Sequence, residues 1–280
     1  MKHTGERPME GATPDSLLAL HDAGYREVIA HLDAHHPAGE RGGRPHRFLD
    51  VGCGVGVETA RACGPGRLVI GIDYNAETAA LAAKQWGRGG HEGTDAIFAA
   101  MDGARLGFAP ASFDSICSSH IIEHFTMPEQ HVAELARICR DDGTVYVITP
   151  NRPADFENPF HVYLFEPHEL SSLLNLFFED VELLGIEGDD VLKADFAARR
   201  VRGEKILRLD VFDLRHKIPR KWYVWSYERI LPRVYKMLGT EASGIGSGLD
   251  DSHFSISPVI EPTTPAILAI ARAPRRFPHR

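Results

Sequence analysis

Apolar residues recur at helical spacing from Asp15 to His35 (Leu17, Leu18 and Leu20, then Val28, Ile29 and Leu32), which predicts a helix. Asp15, directly after Pro14, suits its N-cap. From Arg47 the pattern changes to short apolar runs alternating with helix-period segments. Strands are predicted at 47–51 (RFLDV), 67–73 (RLVIGID), 96–102, 113–119 and 144–150 (TVYVITP). Between them lie helix-like ETARAC, an Ala-rich NAETAALAAKQW with Asn75 as cap, and a helix over 128–140. A helix over 166–176, a strand over 179–188 and a closing strand in PAILAIARAP complete the pattern.

Near-continuous apolar strands alternating with helices predict an α/β, doubly wound parallel sheet covered on both faces. In such sheets ligands bind beyond the carboxyl ends of the strands, so the loops after strands are where chemistry is sought. Four regions are expected: a tail and cap helix at 1–46, a core at 47–188, a basic and aromatic helical insertion at 189–262, and a last core strand with tail at 263–280.

At 280 residues, 43% hydrophobic and 25% charged, disorder, collagen and coiled coil are disfavoured. The formal charge of −8 also argues against a general nucleic-acid binder. Charge is unevenly spread, because 190–236 holds 13 Lys and Arg against 6 Asp and Glu. Within it, 217–238 interleaves these cations with Trp222, Tyr223, Trp225, Tyr227 and Tyr235. A helical cap or lid explains that mixture; stacking on RNA bases or contact with an anionic membrane are the alternatives. The four cysteines form no CxxC pair, as expected of reduced thiols. No apolar run approaches the ~20 residues of a membrane span. Met1–Pro8 lacks the apolar core of a signal peptide, so a cytoplasmic protein is expected.

The strongest motif is LDVGCGVGVETA, residues 49–60. A strand ends at Asp50-Val51, and Gly52, Cys53, Gly54 and Gly56 lead into a helix. Glycines there permit a tight turn and close approach of backbone N–H groups to a ligand. A dinucleotide fingerprint would need a small residue at 57, where this chain has Val. Three further strand ends carry polar residues: Asp73-Tyr74, Met101-Asp102-Gly103, and Ser118-Ser119-His120.

With these motifs in this order, residues 47–188 resemble a class I S-adenosylmethionine-dependent methyltransferase, of the broad group containing ubiquinone-type O-methyltransferases. The resemblance implies a Rossmann-like seven-stranded sheet and S-adenosylmethionine as cofactor. It implies that Asp50, Gly52, Cys53, Gly54 and Gly56 form the turn holding the cofactor's methionine part. Asp73 would take both ribose hydroxyls, since a carboxylate accepts two charge-assisted hydrogen bonds at once. Tyr74 follows it; Met101, Asp102 and Gly103 would form the adenine segment, although Asp-Gly is also a common turn dipeptide. Ser119 and His120 would line the cofactor and open to substrate.

After the fourth strand stands His120-Ile121-Ile122-Glu123-His124. Read as a zinc-peptidase motif, H-x-x-E-H requires one helix, and this segment straddles a strand end and a turn before Pro128. Among similar methyltransferases, a Glu-x-x-Glu-His segment in this loop binds a divalent metal in some ubiquinone-pathway enzymes and in plant small-RNA 2′-O-methyltransferases. Here Glu123 and His124 match and His120 replaces the first Glu. A further His, His161, stands in the NPFHVYLF segment after the fifth strand. Two readings follow: a metal site of His120, Glu123, His124 and His161, or a substrate pocket with His124 and His161 catalytic and His161 as base.

The expectation is methyl transfer to a small-molecule acceptor, most readily a sugar, polyketide or phenol hydroxyl, in natural product biosynthesis. An RNA 2′-O-methyltransferase and a non-catalytic S-adenosylmethionine-binding module are the alternatives.

Overall fold

The computed structural model describes residues 15–35, 44–88, 90, 94–155, 161–197 and 248–276. Helix α1 (Asp15–His35) precedes strand β1 (His46–Val51). Then come α2 (Val57–Arg61), β2 (Arg67–Asp73), α3 (Ala76–Trp86), β3 (Ile97–Ala100) and β4 (Phe113–Ser119). A single 3-10 turn, Ile122–His124, leads to α4 (Pro128–Ile138), β5 (Cys139–Pro150), α5 (Pro167–Asn175) and β6 (Phe178–Gly188). Strands β7 (Phe254–Ser257) and β8 (Ala266–Pro274) close the chain.

All eight strands form one sheet in the order β3-β2-β1-β4-β5-β8-β6-β7. The first five are parallel, whereas β8 runs antiparallel between β5 and β6, and β7 antiparallel to β6. The fold is the expected α/β, doubly wound Rossmann-like sheet, with eight strands among the described residues where seven were expected. The additional strand, Phe254–Ser257, lies inside the stretch expected to belong to the insertion. Strand β5 starts at Cys139, so α4 ends two residues before its expected boundary at 140. The 217–238 aromatic segment lies outside the described residues.

Central strands bury both faces, and alternation assigns the faces. Val145 and Val147 join a core with Leu135, Ile138, Leu170 and Leu174 of α4 and α5. Tyr146 and Ile148 join the opposite core, with Ala19, Leu20, Val28 and Leu32 of α1. Gly24 lets α1 lie close to the sheet, because a Cβ there would come within 2.8 Å of Ile148 Cδ1. The caps follow sequence chemistry: Asn75 Oδ1 accepts from Thr78 N at 3.0 Å, and Glu166 with Glu169 forms a capping box on α5. All four cysteines are free thiols. Among the described residues, no helix is long and apolar enough to cross a membrane.

Candidate functional site

The strand order reverses beside β1, whose neighbours β2 and β4 lead in opposite directions. Loops leaving β1, β2, β4 and β5 therefore share one rim. At its centre the Gly-rich turn is left-handed at Gly52 (φ 85°), Gly54 (φ 53°) and Gly56 (φ 83°). Gly52 N and Cys53 N both donate to Ile72 O, at 2.8 and 2.9 Å, which locks the turn onto β2. A Cβ at Gly52 would collide with Ile121 Cγ2, so the loop after β4 lies directly against the turn. At Gly54 no atom of the described residues lies within 4 Å of a Cβ position, so the backbone there borders space open among them.

Asp50 does not face that space. It is fully buried, and its two oxygens accept from Tyr25 Oη (2.9 Å) and Thr59 Oγ1 (2.5 Å). Burial pushes its carboxyl up to about 6, opposed by those two hydrogen bonds. Asp50 thus supports the turn from below, with both carboxylate oxygens engaged by Tyr25 and Thr59. Asp73, at the end of β2, is half-buried. Its Oδ2 accepts from Gly54 N (3.2 Å) and its Oδ1 from Asn75 N (2.8 Å), which aligns the carboxylate with the turn. Tyr74 beside it is 83% exposed.

Met101 N donates to Asp73 O at 2.9 Å, joining the third strand end to the second. Asp102 is exposed and its Oδ1 accepts from Ala104 N at 2.9 Å, the geometry of an Asp-Gly turn. Gly103 is held by a residue the sequence pattern did not single out. His131, fully buried on α4, pairs through Nδ1 with Gly103 O (2.8 Å) and through Nε2 with Ser118 Oγ (2.9 Å). A carbonyl accepts only, so Nδ1 carries the proton and Nε2 accepts from the Ser118 hydroxyl. Burial depresses this imidazole to about 4, keeping it neutral. The available signal was a His between Pro128 and Leu135 on the apolar face of an amphipathic helix.

At the end of β4, Ser119 Oγ is buried without a protein partner. His120 adopts left-handed backbone (φ 53°), with its N donating to Ile148 O at 2.8 Å. The following turn carries Glu123, fully buried. Its backbone O accepts from both Val162 N (2.8 Å) and Tyr163 N (3.0 Å), which pins the segment after β5 against the loop after β4. This brings Glu123, His124 and His161 together, with one ligand-type atom of each within 4.8 Å of the others. Glu123 Oε2 accepts from Thr149 Oγ1 at 3.2 Å; Oε1 has no hydrogen-bond partner among the described residues. His120 Nδ1 stands 3.6 Å from Oε1, and His161 Nε2 4.0 Å. Burial alone would raise the Glu123 carboxyl, but the neighbouring His120, then His124 and His161, hold it below its ordinary value. His161 Nδ1 lies 2.7 Å from Asp155 Oδ2, a second residue absent from the sequence expectations. His21 on α1 also reaches the rim: its ring packs on His120 with centroids 4.1 Å apart.

A family profile described as "Methyltransferase domain" matches residues 49–147. A "Probable S-adenosylmethionine-dependent methyltransferase" of Mycolicibacterium smegmatis is 30% identical over 196 residues, 68% of this chain and 66% of that protein. The chain belongs to the class I S-adenosylmethionine-dependent methyltransferases. Within this methyltransferase family, shorter matches reach acceptors of different kinds. A phosphatidylethanolamine N-methyltransferase of Cereibacter sphaeroides is 31% identical over 127 residues (44% of this chain, 55% of that one). A ubiquinone biosynthesis O-methyltransferase of Thiobacillus denitrificans is 32% identical over 108 residues (39% and 46%). The chain thus spans from about half to about two thirds of the length of these curated relatives. The methyltransferase sheet itself is similar to the YcgJ protein of Bacillus subtilis, with a TM-score of 0.52 at 18% identity, covering 92% of this chain and 100% of that one.

Proposed function

We propose that this methyltransferase moves the methyl group of S-adenosylmethionine to a hydroxyl oxygen of a small-molecule acceptor. One observation carries the reading: Glu123 and His124, on the loop after β4 that lies directly against the Gly-rich turn, meet His161 of the segment after β5. In this reading Gly52, Cys53, Gly54 and Gly56 cradle the cofactor's amino-acid end, with Asp50 beneath them. Asp73 accepts from the ribose hydroxyls, Met101, Asp102 and Gly103 border the adenine, and Ser119 and His120 line the reacting end.

Methyl transfer asks for alignment above all, since a sulfonium is already a strong electrophile. The acceptor oxygen's lone pair forms the new C–O bond while the S–C bond breaks, its electrons returning to sulfur as the thioether S-adenosylhomocysteine. The hydroxyl proton passes to His161 Nε2. Asp155 serves that step by accepting a hydrogen bond from Nδ1–H, which puts the ring's lone pair on Nε2, 4.0 Å from Glu123 Oε1. The donor set also suits a divalent ion. Atoms ~2.0–2.2 Å from one ion stand about 3–4.3 Å apart, close to the spacing found, and Glu123 Oε1 is buried without a partner. Glu123, His124 and His161, with His120 alongside, would hold it, and imidazole-rich ligation favours zinc, iron or manganese over magnesium. Such an ion would lower the pKa of a bound hydroxyl.

The test is incubation with methyl-labelled S-adenosylmethionine and panels of sugar, phenol, polyketide and amine acceptors, with and without chelator. Labelled methyl ethers, lost at least ~10²-fold in His161→Ala, support the reading. Methylated amines alone, or full activity in His161→Ala, contradict it. Loss with chelator and recovery with a divalent ion support the metal version; indifference to chelator overturns it.

A further inference from the structure

The acceptor side of the site is built almost wholly by loops after β4 and β5, with one exception. His21 comes from α1, roughly a hundred residues earlier in the chain, and lays its ring on His120 at 4.1 Å between centroids with a 42° tilt. His120 needs such a support. Its backbone is left-handed, a conformation unusual for a side-chain-bearing residue, and its Nε2 is buried with no hydrogen-bond partner. Among the described residues, one polar contact orients the ring, Nδ1 facing Glu123 Oε1 at 3.6 Å. That is too long for a firm hydrogen bond, so ring packing must supply the rest of the restraint.

Helix α1 is well suited to supply it. Tyr25, one turn on from His21 and on the same face, donates to Asp50 beneath the Gly-rich turn. Ser16 Oγ donates to Asp195 Oδ2 at 2.7 Å, and Arg26 Nη1 to Asp251 Oδ2 at 2.8 Å, fixing α1 along its length. One rigid helix therefore touches both halves of the site, the cofactor turn through Tyr25 and the Glu123 side through His21.

We propose that His21 is a positioning residue: its ring fixes His120, and His120 in turn fixes the Glu123 carboxylate where the acceptor is bound. The proposal rests on the acceptor reading given above, and its test does not require turnover. The full chain is labelled with ¹⁵N-histidine, and the imidazole rings are observed by long-range ¹⁵N–¹H correlation. His21→Leu keeps the volume and removes the ring; His21→Phe keeps the ring without its nitrogens.

In the parent protein His120 gives one sharp set of ring signals. In His21→Leu that set broadens or moves toward an averaged position while the His161 set stays, and His21→Phe restores it. His35→Leu, on the exposed end of the same helix, leaves His120 unchanged. Unaltered His120 signals in His21→Leu overturn the proposal, as does equal disturbance in the Leu and Phe variants. A drop in melting temperature without any change at His120 would mark simple packing and also contradict it. With a working acceptor, His21→Leu lowers kcat about tenfold at unchanged KM for S-adenosylmethionine, and His21→Phe recovers it. Should His161→Ala prove fully active, the acceptor reading fails while the spectra still decide whether His21 orients His120.

Discussion

His161 Nδ1 lies 2.7 Å from Asp155 Oδ2, and this one contact determines which ring nitrogen faces the site. With the proton held on Nδ1, Nε2 points toward Glu123 as a base or as a ligand, and both uses need the same orientation.

Asp155→Ala is therefore expected to lower turnover by about 10–100-fold, the usual cost of losing a partner that orients a functional His. Steady-state kinetics read the effect, and Asp155→Asn does not restore it fully, because an amide can turn its NH₂ toward the ring. Unchanged kcat in Asp155→Ala would remove the dyad from the mechanism.

Under the Gly-rich turn, Tyr25→Phe leaves Asp50 Oδ1 buried without its donor, a loss of about 1–3 kcal/mol. The sign of its pH dependence follows from Asp50, whose carboxyl rises from 3.8 to about 6 in the fold. Between those values the folded chain binds more protons than the unfolded one, so this group's contribution to stability falls as pH rises. The Tyr25 hydroxyl stabilises the charged form. Denaturant unfolding should thus show Tyr25→Phe costing more at pH 7 than at pH 4; an equal or smaller cost at pH 7 contradicts the assignment.

Glycines in the turn separate packing from ligand space. Gly52→Ala adds a Cβ that strikes Ile121, and it should lower the melting temperature along with cofactor affinity. Gly54→Ala meets no protein atom, so its folding cost is limited to left-handed strain of about 1–2 kcal/mol. Its Cβ projects into the open space, and S-adenosylhomocysteine binding should fall far more than stability does. The reverse ranking would place the cofactor elsewhere.

Much of this was legible in the chain. Long buried runs such as TVYVITP and RLVIGID mark central strands by composition, and the Gly-rich turn and Asp73 stand at strand ends that topology brings to one rim. The meeting of Glu123 and His161 follows from adjacent strands β4 and β5, although their separation in sequence hides it. Other features depend on tertiary contacts that leave little local trace. Strand β7 is only FSIS, too short for its alternation to stand out after a stretch of sequence rich in Gly and Ser. His131 looks like one more helix residue until Gly103 and Ser118 are placed on either side of it. Asp50 reads as part of a ligand motif, but Tyr25 and Thr59, at unrelated positions, engage both its oxygens. Asp155 and His21 gain meaning only from what they touch.

The rim formed by the Gly-rich turn and Asp73 is expected to bind S-adenosylmethionine. Titration calorimetry with S-adenosylhomocysteine on the parent chain and on Asp73→Ala tests it most directly. Two charge-assisted hydrogen bonds, each worth about 1.5–3 kcal/mol, are lost in the variant. The parent should bind at one site and Asp73→Ala, folded but without the Gly54 and Asn75 contacts, at least tenfold more weakly; equal affinity in the two proteins would place the cofactor elsewhere.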